Sequence, residues 1–120
     1  MPSLMQRRGG SSEHRAVFFL RRCGYHIIER NYHTRYGEID ILAQDGRTMV
    51  AVEVKARRTK TFGESLEAMS KKKFFRLVLS LQTYLMQSKQ ESAPHRIDLV
   101  AMDGQEIRLL KGIDVSGPTQ

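Results

Sequence analysis

Asp40, Glu53 and Lys55 are the residues of this sequence whose types and spacing could do chemistry on a phosphate. Two carboxylates close together repel, which raises one pKa unless a cation sits between them. A hard divalent ion such as Mg2+ relieves the repulsion and takes oxygen ligands and water. Such an ion polarises a phosphodiester and lowers the pKa of a bound water. Lys55 beside it would orient that water or offset charge on the phosphate. A Glu-x-Lys alone carries little, because a chain this charged contains one by chance often enough. The same acidic pair would also make half of a surface salt-bridge ladder with Lys55 and Arg47. Against the ladder, Asp40 lies between Ile39 and Ile41, and Glu53 between Val52 and Val54. Strands that apolar read as central, with both faces covered, and covered carboxylates need a reason.

Two paired strands must position these groups. Glu38 to Gln44 and Arg47 to Ala56 flank Asp45-Gly46, a two-residue hairpin signal. With Asp45 and Gly46 as the turn, Gln44 faces Arg47, Asp40 faces Ala51 and Glu38 faces Glu53, leaving Asp40 diagonal to Glu53. Side chains alternate along a strand. One face therefore receives Ile39, Ile41, Ala43, Val50, Val52 and Val54. The other receives Glu38, Asp40, Leu42, Met49, Ala51, Glu53 and Lys55, so the ionisable residues of the inner hairpin gather on one side.

The flanking elements follow from pattern and punctuation. Residues 1–10 read as a mobile arm ending in Gly9-Gly10. Ser11 or Ser12 then caps a helix with Glu13 in its first turn, where a carboxylate suits the dipole. Val17, Phe19, Leu20 and Cys23 give its buried stripe, and Gly24 ends it. Tyr25 to Asn31 is a first strand whose Ile27-Ile28 pair breaks clean alternation. After the central hairpin, residues 57–64 form a basic loop. A long helix over 66–88 carries Phe74, Leu77, Val78, Leu81 and Leu85 at helical spacing. Arg96 to Met102 and Glu106 to Leu110 flank a second turn at Asp103-Gly104, and the tail from Gly112 frays. The expectation is one α/β domain over 11–111, between an arm at 1–10 and a tail at 112–120. A helix between strands favours a right-handed crossover joining parallel neighbours. The order α-β-β-β-α-β-β thus gives a mixed β-sheet flanked by a helix on each face.

Charge distribution says more than the total of +7 on 120 residues. Residues 1–54 carry +2, residues 55–76 carry +6 and residues 77–120 carry −1. The excess sits on Lys55, Arg57, Arg58, Lys60, Lys71, Lys72, Lys73 and Arg76, a local stripe of the kind that grips a polyanion. Arg57, Arg58 and Lys60 leave the strand directly after Lys55, so a phosphate they hold lies beside the carboxylate face. Consecutive residues splay around a helix, so at most two of Lys71, Lys72 and Lys73 face one groove. Phosphate contacts position a duplex without reading its sequence. The charge pattern therefore points to structure-selective or weakly specific nucleic-acid binding. One cysteine excludes an internal disulfide and a Cys-rich zinc site, and fits a reducing compartment. No apolar run is long enough to span a bilayer, so the expected setting is cytoplasmic with no membrane partner. Asp98, between Ile97 and Leu99, reads as a buried partner for a basic side chain.

Glu13 on a first helix, Gly37-Glu38-Ile39-Asp40, Val52-Glu53-Val54-Lys55 and a long following helix together resemble the PD-(D/E)xK nuclease superfamily. Within it the chain is most similar to the uncharacterised YraN-type bacterial family, near the Holliday-junction resolvase branch. The supporting residues are Glu29-Arg30-Asn31-Tyr32, Arg35 to Ala43, Val52 to Arg57 and Phe62-Gly63, within a match running from about residue 9 to 111. The resemblance implies a restriction-endonuclease-like fold and metal-dependent cleavage of phosphodiester bonds in DNA, with branched or junction DNA as the substrate. RNA uses the same chemistry and stays open. Carried over by position, Asp40 and Glu53 bind Mg2+ (or Mn2+), aided by the Val54 carbonyl, and Lys55 serves the attacking water. Glu13 completes the metal shell or binds a second ion, and Glu38 supports from the same face. Junction substrates suit a homodimer, whose two-fold axis would place two sites on paired strands. The alternative is a non-catalytic nucleic-acid-binding or assembly module on the same fold, with dispensable carboxylates.

Overall fold

The computed structural model describes residues 4–57 and 69–115, with side chains from Ser11 to Ala56 and from Met69 to Val115. Helix α1 (Leu4–Arg22) leads into strands β1 (His26–Thr34), β2 (Gly37–Asp45) and β3 (Thr48–Arg57). Helix α2 (Lys71–Gln87) then crosses over to β4 (His95–Asp103) and β5 (Glu106–Leu110). The five strands form one sheet in the order β1-β2-β3-β4-β5. Every neighbouring pair is antiparallel except β3 and β4, which run parallel across the α2 crossover. The expected α-β-β-β-α-β-β order is therefore the observed one.

Each helix covers one face. Ala16, Val17 and Leu20 of α1 pack with Ile41, Ala43, Val50, Val52, Val100 and Met102. Phe74, Leu77, Leu81 and Leu85 of α2, spaced three and four apart, pack with Leu42, Met49, Ala51, Ile97 and Leu99. Burying each of these large side chains contributes about 2 kcal/mol, so the two apolar stripes decide where the helices sit. The face assignment of the hairpin holds except at Ile39, which joins the α2-side cluster.

Several boundaries differ from the sequence reading, each for a local reason. Helix α1 begins at Leu4 and runs through Gly9-Gly10; two glycines cost about 2 kcal/mol of helix propensity but do not end a helix. Neither Ser11 nor Ser12 is then a cap, and Glu13 lies in the third turn, away from the dipole. The other end behaves as the glycine suggested. Gly24 takes φ 93, its N–H bonds the Arg21 carbonyl, and the Tyr25 N–H bonds the Leu20 carbonyl, a Schellman stop. The unwinding turn leaves Cys23 exposed rather than in the core. Helix α2 starts at Lys71, not 66, because Ser70 caps it and accepts a hydrogen bond from the Lys73 N–H at 3.0 Å. In β1 the Ile27-Ile28 pair coincides with a register shift between Ile27 and Glu29, a bulge of the kind broken alternation marks.

The central hairpin is set one residue later than Asp45-Gly46 implied. Asp45 pairs with Thr48, and Gly46, at φ 62, is the first turn residue, as a II′ hairpin requires. Ile41 then faces Val52 and Leu42 faces Ala51. Moving the turn by one residue moves opposed positions by two, which preserves parity and therefore faces.

Asp98, fully buried on β4, accepts from Tyr25 Oη at 2.6 Å, Arg96 Nε at 2.8 Å and the Gly112 N–H at 2.9 Å. It is the buried partner of a basic side chain that its apolar neighbours suggested. With the Ile113 N–H bonded to the Ile97 carbonyl, it ties residues 112–113 to the sheet, so the chain is still held where fraying was expected.

Candidate metal and phosphate site

The sheet forks where the sequence placed its carboxylates. The β2–β3 ladder ends at Ile41 and Val52, although β2 reaches back to Gly37 and β3 runs on to Arg57. Beyond that point β2 stays with β1, down to Gly37 opposite Thr34, and β3 stays with β4, up to Arg57 opposite Asp103. Continued by one step, the β2–β3 register would set Asp40 opposite Glu53 rather than diagonal to it, and the two carboxyls interact. The Val54 N–H donates to Asp40 Oδ2 at 2.9 Å. A side chain thus takes the amide that an unbroken ladder would have paired with backbone.

Burial and mutual repulsion make this pair costly. Glu53 is 2 % exposed. Asp40 is largely enclosed, and its pKa is pushed up to about 8, first by burial and next by the neighbouring Glu53 charge. The Glu13 charge adds to the same effect, so α1 delivers its carboxylate to this end of the sheet. Glu13 is itself pushed above the usual carboxylate range by burial, with Arg30 and the Asn31 side chain opposing. Arg30 lies 3.7 Å from Glu13 Oε1. Asn31 reaches Glu13 from within β1, where its backbone takes a positive φ of 55, a conformation Asn tolerates better than most residues. Glu13 and Glu53 therefore both act electrostatically on Asp40.

Two lysines face the pair. Glu53 Oε2 lies 2.8 Å from Lys73 Nζ and 3.7 Å from Lys55 Nζ. Glu53 Oε1 is buried and has no hydrogen-bond partner among the described residues, and the same holds for Glu13 Oε1. Burial pulls the Lys73 ammonium down, but it is outweighed by the Glu53 hydrogen bond and the Glu53, Asp40 and Glu38 charges, so its pKa is raised. Glu38 stands at the rim, half exposed, 3.8 Å from His33 Nε2. A concavity of about 170 Å³ opens here, lined by Gly37, Glu38, Asp40, Lys73, Arg76 and Leu77. Larger ones of about 640 and 630 Å³ lie along α1 and between β1 and α2. Neither is lined by a carboxylate, so size is a poor guide to where chemistry is available.

The donor set suits a hard divalent ion. It offers only oxygens, one of them an orphaned buried carboxylate oxygen of Glu53 and the others on Asp40, whose pKa burial and Glu53 push up. Among the described residues no three His, Cys, Asp or Glu side chains converge closely enough to hold an ion by themselves. The side-chain ligands on offer are thus Asp40 and Glu53, with water for the rest.

The sequence-derived site residues fall into three groups. Asp40, Glu53, Lys55 and Glu13 come together, with Glu38 at the edge. Lys71 and Lys72 are exposed at the start of α2. Arg58, Lys60 and the Arg57 side chain lie outside the described residues. The sequence reading placed Lys73 among phosphate contacts and missed its hold on Glu53. It also quoted Arg30 and Asn31 without a role. The signal for Lys73 was three lysines opening a helix that has no acid in its first turn, an arrangement the helix dipole opposes.

The fold and site define a mixed α/β protein with an acidic pair and two lysines at a sheet fork. Residues 12–102 match the family model described as uncharacterised protein family UPF0102, and the chain belongs to that family. A UPF0102 protein of Thermotoga petrophila is 42% identical over 102 residues, covering 85% of this chain and 92% of its own length. One of Desulfosudis oleivorans is 40% identical over 101 residues, covering 84% and 82%. One of Sulfurihydrogenibium is 36% identical over 100 residues, covering 83% and 87%. The YraN-type resemblance is thereby shown at the level of the family. Among the described residues no helix is long and apolar enough to cross a membrane.

Proposed function

We propose that this protein is a Mg2+-dependent endonuclease of PD-(D/E)xK type that hydrolyses phosphodiester bonds in DNA, with branched or junction DNA as its preferred substrate. The observation that carries the reading is the pairing of the half-buried Asp40 with the buried Glu53 at the fork, with Glu53 Oε1 orphaned among the described residues. Lys73 satisfies Glu53 Oε2 but leaves Oε1 without a partner among the described residues, and a buried polar oxygen left unbonded is costly. Bound there, a divalent ion would activate water and neutralise charge developing on the phosphate. Asp40 and Glu53 would hold it, and Lys55, rooted in β3 beside Glu53, would orient the attacking water. Glu13, steadied by Arg30 and Asn31, would take a proton or extend the acidic wall. Lys71 and Lys72, with the basic run Arg57, Arg58 and Lys60 in the sequence after β3, would grip the phosphate backbone.

The absence of a third converging carboxylate among the described residues is what favours the rival, a non-catalytic nucleic-acid-binding module. Calorimetric titration of Mg2+ and Mn2+ into wild type and Asp40→Asn, with and without four-way-junction DNA, separates the two. The nuclease reading predicts binding that Asp40→Asn weakens at least tenfold, as loss of a ligating carboxylate should. No metal binding by wild type, even with DNA present, would remove its basis. Dimerisation and DNA over RNA belong to the same proposal.

A further inference from the structure

Lys73 lines the same concavity as Asp40 and is paired with Glu53, the two residues that would hold a metal ion. Its Nζ is 2.8 Å from Glu53 Oε2 and within the influence of Asp40 and Glu38. Local helix energetics do not account for it. Lys71, Lys72 and Lys73 open α2, and no acidic residue offsets them in that turn, so all three oppose the dipole. What compensates Lys73 is the carboxylate across the fork. Its side chain is also 46 % exposed, against 22 % for Lys55, so it can swing away without opening the core.

A single ammonium is an incomplete occupant. It reaches one Glu53 oxygen and leaves the other, Oε1, without a hydrogen bond among the described residues. A divalent ion carries twice the charge in a smaller volume and takes oxygens from both acidic residues. The packing of α2 keeps Lys73 over the site either way. Phe74 and Leu77 are buried beneath the helix, and Ser80 Oγ lies 2.8 Å from Thr34 Oγ1 next to the β1–β2 turn.

We propose that Lys73 is the built-in counter-ion of the metal site, displaced when a divalent ion binds between Asp40 and Glu53 and then free to hold a nucleic-acid phosphate. Metal loading and phosphate gripping are then one switch. Without metal the lysine is engaged internally and contributes nothing to DNA binding. With metal it becomes a phosphate contact beside the reactive centre. The inference rests on the proposed metal site and adds an order of events to it.

The test compares the full-length wild type with Lys73→Met and Lys73→Arg. Mn2+ affinity is read by electron paramagnetic resonance without DNA. Removing the competing charge should tighten Mn2+ binding about tenfold in Lys73→Met, and Lys73→Arg should restore the wild-type value. Affinity for a fluorescent four-way junction is then followed against salt. One lost phosphate contact lowers the slope of log affinity on log salt by about one. That loss should appear in Lys73→Met with Ca2+ present and vanish in EDTA. Unchanged or weaker Mn2+ binding by Lys73→Met, or an equal loss of slope in EDTA, would overturn the inference while leaving the metal site standing. Failure of every variant and of wild type to bind Mn2+ would overturn both.

Discussion

Replacing Asp40 by Asn should make the metal-free protein more stable, and increasingly so as pH rises. The folded carboxyl sits at about 8, where the free side chain has 3.8. Between those values the unfolded chain releases its proton and the folded chain keeps it. The folded state therefore loses stability relative to the unfolded state as pH climbs through that window. At 1.36 kcal/mol per pKa unit the loss approaches a ceiling of about 6 kcal/mol above pH 8, and solvent relaxation should bring it to ~3. Asn retains an oxygen to accept the Val54 N–H and carries no charge, so the variant escapes the penalty without losing the hydrogen bond. The assay is urea denaturation in EDTA from about pH 4.5 to 8.5, with the two curves subtracted so that titrations not coupled to Asp40 cancel. The difference should be near zero at the acid end and should grow to ~3 kcal/mol in favour of Asp40→Asn. Saturating Mg2+ should shrink that gap by stabilising wild type alone. A difference independent of pH, or one that favours wild type as pH rises, would refute the burial and repulsion assigned to Asp40.

Asp98→Ala should cost about 2–3 kcal/mol in denaturant melts, because buried Tyr25 Oη and the Gly112 N–H lose their acceptor while Arg96 keeps only Asp45 as its anion. Gly24→Ala should cost about 1–2 kcal/mol, since φ 93 lies in the left-handed region that a Cβ resists. Lys72→Ala, on the exposed first turn of α2, should weaken junction binding across sequences and flatten its salt dependence by about one phosphate.

Much of the fold could be read from the residues, because it depends on periodicities that survive small errors. The hairpin turn was misplaced by one residue, yet Asp40, Glu53 and Lys55 kept their common face, since the side-chain period is two. The parallel β3–β4 pair followed from a helix inserted between strands. The start of α1 was less legible. Gly9-Gly10 and Ser11-Ser12 look like an ending and a cap, but the helix continues through them. That relocated Glu13 from a dipole-compensating position to the acidic wall. Lys73 was legible in type and not in target. Its contact with Glu53 spans 20 positions and depends on how α2 lies over the fork, which no local pattern encodes. The fork itself, where β2 and β3 part after Ile41 and Val52, is likewise a property of the assembled sheet.

The central claim is that the acidic pair at the fork cuts phosphodiester bonds with a divalent metal. Its most direct test is cleavage of end-labelled four-way-junction, flap, linear and single-stranded DNA by wild type, Asp40→Asn, Glu53→Gln and Lys55→Ala, each with Mg2+, Mn2+ or EDTA. The account predicts cutting by wild type with metal, strongest on branched DNA, abolished by EDTA and reduced at least a hundredfold in all three variants. Undiminished cutting by Glu53→Gln and Lys55→Ala, or tight junction binding by wild type with no cleavage under any metal, would contradict it.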